Sequence, residues 1–182
     1  MSTATNHDWS QTDPGTVAVW AGESDCGPAG ATQTPIFTSV TYGFEDLEEW
    51  SAVARGEKPG HIYSRSSNPT VQVLEEKVRL LEGAEAAIGF ASGMAAINET
   101  LHTLLSPGDR VVTISDSYGG TSKVFLDILP RWGVEVEICE TGDHAALETA
   151  IAKGCRVVYL ESPTNPTLEV LDLRRLAEAG HG

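Results

Sequence analysis

Basic residues are scarce in this sequence. Twelve Lys and Arg face 26 Asp and Glu across 182 residues, a formal net charge of −14. A surface so acidic disfavours nucleic acid, or an anionic membrane, as the main partner. Long apolar runs are missing too, and none approaches the ~20 residues that span a bilayer. The start, Met1-Ser2-Thr3-Ala4-Thr5-Asn6-His7-Asp8, lacks the basic and apolar blocks of a signal peptide. Cysteine is sparse and odd in number, with Cys26, Cys139 and Cys155 in no Cys-x-x-Cys spacing. A disulfide framework and a zinc site are therefore not expected, no metal is expected, and the cytoplasm is the expected compartment. There is no GxGxxG and no GxxxxGK[ST], which disfavours a dinucleotide or a nucleoside triphosphate. GxSxG and HExxH are absent as well.

What is present suits a globular chain: 41% apolar and 21% charged residues, enough to bury a core. Residues 1–60 show little periodicity and carry Gly27-Pro28-Ala29-Gly30 and Lys58-Pro59-Gly60. They read as an extended arm with one short helix around Glu45 to Arg55, lying on another surface, such as another subunit. From residue 68 the pattern sharpens. Asn68-Pro69 is a helix start, and Val71, Leu74, Val78 and Leu81 recur at helical spacing before Gly83. A short apolar run, Ala86–Phe90, reads as a strand that runs through a Ser-Gly turn into a helix over Ser92–Leu105. Strands are expected at Arg110–Ile114, Val134–Ile138 and Cys155–Leu160. Helices are expected at Thr121–Leu129, Asp143–Ala152 and Leu173–Ala179. Apolar strands alternating with helices indicate a mostly parallel sheet covered on both faces.

Ligands of such sheets sit outside the carboxyl ends of the strands, and polar clusters gather there. Phe90-Ala91-Ser92-Gly93-Met94 aims backbone N–H groups and a positive helix end at one point, which suits a phosphate. Taken alone it reads first as an ordinary capping Ser beside a Gly for tight packing. Ser115-Asp116-Ser117-Tyr118-Gly119-Gly120-Thr121 offers an aromatic face to a flat ligand, or is a surface turn. Glu161-Ser162-Pro163-Thr164-Asn165-Pro166 sets a carboxylate and Asn165 at a strand end, or is a proline-shaped connector. Before the sheet, His61-Ile62-Tyr63-Ser64-Arg65-Ser66-Ser67-Asn68 combines Arg and Tyr with hydroxyls, which fits an anion or a solvated loop. Together the four describe a flat, phosphorylated ligand.

In this order the clusters closely resemble the Cys/Met-metabolism family of pyridoxal-phosphate (PLP) enzymes, which includes cystathionine γ-synthases, cystathionine lyases, methionine γ-lyases and homoserine-ester sulfhydrylases. The matching stretches are Tyr63–Thr70, Phe90–Ala96, Asp116–Thr121 and Glu161–Thr167, with Thr34-Pro35-Ile36 in the arm. The resemblance implies the aspartate-aminotransferase-like α/β fold, fold type I, with pyridoxal 5'-phosphate as cofactor and an amino acid as substrate. It implies that Ser92, Gly93 and Met94 hold the cofactor phosphate from the helix start. Tyr63 and Arg65 would reach that phosphate from a neighbouring subunit, in a site built by a dimer within a homo-oligomer, a tetramer. Tyr118 would stack on the ring and assist proton transfer or leaving-group departure. Asn165 would lie beside the ring's phenolic oxygen and the substrate carboxylate, and Glu161 near the ring. The implied reactions are γ-elimination or γ-replacement on sulfur amino acids or activated homoserine esters, with the cofactor as electron sink.

In the family, the Lys that holds the cofactor and the Asp beside its ring nitrogen lie beyond the last of these motifs, as does the Arg for the substrate carboxylate. Lys58, Lys77, Lys123 and Lys153 sit in no matching Ser/Thr-rich motif. The resemblance thus covers an N-terminal part, with residues 61–182 belonging to the large PLP-binding domain and the sheet incomplete at its C-terminal end. The expectation is a fragment, inactive alone; the alternatives are one half of a split enzyme, or a non-catalytic remnant that binds a related subunit. Methionine γ-lyases typically carry Cys after the Tyr-Gly pair, where this chain has Gly120; that shifts the expectation toward the other reactions.

Overall fold

The computed structural model describes residues 7–23 and 28–181; Cys26 and part of the Gly27–Gly30 turn read above lie outside them. Two compact units divide the chain, residues 1–89 and 90–182.

In the first unit, helix α1 (Pro14–Trp20) starts on Asp13, whose carboxylate accepts the Gly15 N–H at 2.8 Å. Helix α2 (Leu47–Ala54), the short helix expected near Glu45, is capped by Asp46, and α3 (Pro69–Leu81) by Asn68. The Asn68 Oδ1 accepts from Thr70 and Val71, while its Nδ2 donates to the Phe37 carbonyl at 2.9 Å. Thr70 Oγ1 donates to the Pro35 carbonyl and accepts from the Phe37 N–H, so segment 35–37 is stitched to the start of α3. Helix α1 has no counterpart in the sequence reading. It packs on α3 through buried Val17 and Ala21, so this stretch finds its covering surface within its own chain. Lys77 of α3 locks that packing, donating to the Val19 carbonyl and to Glu23 Oε1, both at 2.9 Å.

The second unit is a parallel sheet of three strands in the order β2-β1-β3: β1 (Arg110–Ile114), β2 (Glu135–Cys139) and β3 (Val157–Val158). In register, Arg110 lies opposite Glu135 and Ile114 opposite Cys139, while Val111 and Val112 lie opposite Val157 and Val158. The central strand is buried, and its alternating side chains feed two cores. Val112 and Ile114 join Leu147, Ile151, Leu171 and Leu176 under α7 (His144–Ala152) and α8 (Leu173–His181). Val111 joins Leu101 of α4 (Gly93–Leu104) with Val124, Phe125 and Leu129 on the other face. Those last residues belong to a helical stretch made of α5 (Gly119–Lys123), a π-helical turn (Val124–Ile128) and α6 (Leu129–Arg131). Pro130 has no N–H to give to the turn before it, and the helix widens there instead of ending.

Two expectations change. Ala86–Phe90 forms no strand: it has no ladder partner among the described residues, and Ile88 is 73% exposed. The strand expected over Cys155–Leu160 is regular only at Val157–Val158, because β1 offers it a ladder over just those two positions before the chain turns toward Glu161. No described helix is long and apolar enough to cross a membrane.

Candidate functional site

Three of the four polar clusters meet in the second unit, at the carboxyl end of the sheet. Ser92 caps α4, its Oγ accepting the Ala95 N–H at 3.1 Å. Helix geometry leaves the first-turn N–H groups of Gly93 and Met94 without intrahelical acceptors. The space where a Gly93 side chain would stand is open: apart from its chain neighbours and the backbone of its own helix, no atom of the described residues lies within 4 Å of an added Cβ. Met94 then reaches across to the tyrosine turn. A Cβ on Gly120 would lie 2.7 Å from Cε1 of Tyr118 and 3.0 Å from the Met94 sulfur, so that position accepts only glycine without rearrangement. The Thr121 hydroxyl, fully buried, donates to the same sulfur at 3.9 Å.

Glu161 ties the third cluster to the second. Its Oε2 accepts the Tyr118 backbone N–H at 2.9 Å, and its Oε1 accepts the Tyr159 hydroxyl at 3.1 Å. Tyr159 packs against Phe125 at a centroid distance of 5.0 Å. Burial first, then the charge of Glu161, push its phenol up to about 12, although the Thr121 hydroxyl beside it works the other way. The phenol therefore stays a hydrogen-bond donor throughout the physiological range. Tyr118 itself is 51% exposed, so a ring face is free to receive a flat group.

Asn165 is exposed in the loop that follows. Buried Thr164 braces that loop, its hydroxyl 2.7 Å from that of Thr167 and accepting the Glu169 N–H at 2.9 Å. Thr167 in turn donates to the Asp116 carboxylate, which fastens the loop to the end of β1. Among the described residues no hydrogen bond joins Asn165 to Tyr118 or Glu161. Tyr63 and Arg65 belong to the first unit. There the Arg65 guanidinium lies 4.8 Å from the centre of the Tyr63 ring in a cation–π contact, and both residues are exposed. An antiparallel bridge between Thr41 and Tyr63 holds this turn, with Ser64 donating to the Val40 carbonyl at 2.8 Å. Nearby, burial pushes the His61 imidazole down.

The sequence reading missed Tyr159 and Thr121. Tyr159 carried a usable signal, since residues two apart on a strand share a face and Tyr159 precedes Glu161 by two. Thr121 carried none, because its partner Met94 is 27 positions away.

A helix start facing open space, an exposed tyrosine ring on a glycine turn and a strand-end carboxylate lie together at one end of an open α/β sheet, an arrangement whose chemistry suits a planar, phosphorylated group. The chain belongs to the Cys/Met metabolism PLP-dependent enzyme family, whose model matches residues 15–182. It is 40% identical over 167 residues to an L-methionine gamma-lyase of Fusobacterium nucleatum, covering 92% of this chain and 42% of that protein. It is 39% identical over 166 residues to an O-succinylhomoserine sulfhydrylase of Pseudomonas aeruginosa, covering 91% and 41%. Its structure superposes with a TM-score of 0.86 and 30% identity on a putative O-acetylhomoserine (thiol)-lyase of Campylobacter jejuni that holds N'-pyridoxyl-lysine-5'-monophosphate, over 94% of this chain and 42% of that one. The fold is the PLP fold type I, and the cofactor of the family is PLP. The chain spans about two fifths of the length of these relatives.

Proposed function

We propose that this chain is the N-terminal part of a cytoplasmic PLP-dependent enzyme that eliminates or replaces the γ-substituent of sulfur amino acids or activated homoserine esters. The observation that carries the reading is the convergence of the α4 start, the Tyr118 turn and Glu161 in one unit. The open space over Gly93 and the exposed ring of Tyr118 fit the phosphate and the flat ring of PLP, which when bound supplies an electron sink. The N–H groups of Gly93 and Met94 would bind the phosphate beside the Ser92 cap, where the α4 dipole favours negative charge. Tyr118 would cover one ring face and move a proton at its hydroxyl. Asn165, on its braced loop, would orient polar atoms of the ring and of the substrate carboxylate. Tyr63 and Arg65, exposed on the first unit, would serve the phosphate of a neighbouring subunit in a homotetramer built from dimers; residues 1–60 would form its arm. Methionine γ-elimination and homoserine-ester replacement both stay within the proposal, because relatives of both kinds match to the same extent.

The test uses the 182-residue chain in NMR titrations. Pyridoxal 5'-phosphate should shift the Gly93 and Met94 amides, and pyridoxal without its phosphate should not. Equal shifts with both compounds, or none with either, would refute the cradle. Borohydride reduction of the mixture should leave no stoichiometric pyridoxyl label on Lys58, Lys77, Lys123 or Lys153, as mass spectrometry reads. Full labelling of one of them would place the covalent site within this chain and overturn the reading of it as inactive alone.

A further inference from the structure

We propose that Tyr159 is a positioning residue for Tyr118: its hydroxyl pins one oxygen of Glu161 so that the other captures the Tyr118 backbone N–H. This rests on the reading of Tyr118 as the ring that faces the cofactor. The turn needs such a clamp. Tyr118 opens α5 without a side-chain cap, and the two glycines after it leave the backbone much conformational freedom. The hydrogen bond from its amide N–H to Glu161 reaches 43 positions along the chain, from the end of β1 to the far side of β3. A carboxylate turns freely about its last bond unless an oxygen is held, and here each oxygen has one donor. The Tyr159 ring that supplies the second donor is itself fixed, against Phe125 on one side and by its backbone N–H, which donates to the Val112 carbonyl at 2.9 Å. Burial keeps that phenol protonated, so the pin does not vary across physiological pH. Core packing is thus transmitted through Tyr159 and Glu161 to an exposed aromatic ring.

Site-resolved amide hydrogen exchange on the 182-residue chain, with no cofactor present, tests this. Y159F keeps the ring and removes only the hydroxyl, and it should speed exchange at Tyr118 about tenfold. Val111 and Val112 in β1 should keep their protection. E161A, outside both core clusters, should speed Tyr118 exchange at least as much, and the double variant should add nothing to E161A. An unchanged Tyr118 amide in either single variant, or additive effects in the double, overturns the proposal. Loss of β1 protection in Y159F does so too, because the hydroxyl would then serve the core rather than the turn. Cofactor is absent from the measurement, so its failure leaves the phosphate cradle standing, and failure of the cradle leaves the clamp standing.

Discussion

Gly120 is the residue at which space, not backbone angle, dictates identity. Added atoms there meet the edge of Tyr118 and the sulfur of Met94, both of which can yield because one is exposed and the other flexible. Gly120→Ala should therefore leave stability nearly unchanged. Crowding costs about 1–3 kcal/mol when nothing moves, and alanine in a helix recovers roughly 0.5–1 kcal/mol. The displaced Tyr118 ring carries the effect: its aromatic resonances should shift while the urea midpoint stays put, and unshifted resonances would show that the ring never touched this position. If Tyr118 plays the proposed role, Tyr118→Phe in an enzyme completed by the proposed C-terminal part should lower kcat by roughly 10²-fold or more while PLP affinity holds, since the ring face survives and only the hydroxyl is lost. Equal loss of both would count against that role. Ser92, Gly93 and Asn68 were legible in the sequence because a cap needs only its local neighbours. The contact between Thr121 and Met94 was not, since it depends on where two helices start after the chain has crossed the sheet.

Helix α1 shows why a legible signal goes unread. Asp13-Pro14 is the same capping pair as Asn68-Pro69, yet the short apolar set behind it, Val17 and Ala21, is too sparse to register as periodic. What stabilises α1 is the partner it finds on α3. There Lys77 and Glu23 form a partly buried pair, and Glu23 Oε2 also accepts the Thr34 N–H at 2.6 Å. Burial alone would raise the Glu23 carboxyl, but the bonds from Lys77 and Thr34 outweigh it and hold the group below its ordinary value. A depressed carboxyl binds fewer protons folded than unfolded. Its stabilisation is therefore complete above the ordinary value of 4.5 and fades as the pH falls below it. Lys77→Ala should cost about 1–3 kcal/mol at neutral pH. The gap to the unaltered chain should shrink as the pH falls below 4.5 and Glu23 progressively loses the charge that Lys77 satisfies. Urea midpoints measured across that range check this, and a gap independent of pH would assign the loss to the Val19 contact alone.

At the scale of the whole molecule, the periodic face of α3 is the part that sequence could reveal but not place. Val71, Leu74, Val78 and Leu81 form one stripe at helical spacing, as read from the sequence, and that spacing predicts a buried face. In the structure they are 42%, 58%, 43% and 46% exposed, with Ile88 beyond them at 73%. Partners in another chain lie outside what one sequence specifies, and the role proposed for Tyr63 and Arg65 at a neighbouring subunit would be of that kind. A contiguous apolar stripe on an exposed helix favours association, because each side chain removed from water contributes in proportion to its area. The 182-residue chain should therefore sediment faster than a 19.4 kDa monomer, increasingly so with concentration. Leu74→Glu together with Val78→Glu places charges in the centre of the stripe and should return the chain toward the monomer without disturbing the α3 cap at Asn68. A monodisperse, cooperatively melting monomer in the unaltered chain would show that the stripe needs no partner. Persistence of the oligomer in the double variant would move the contact elsewhere on the surface.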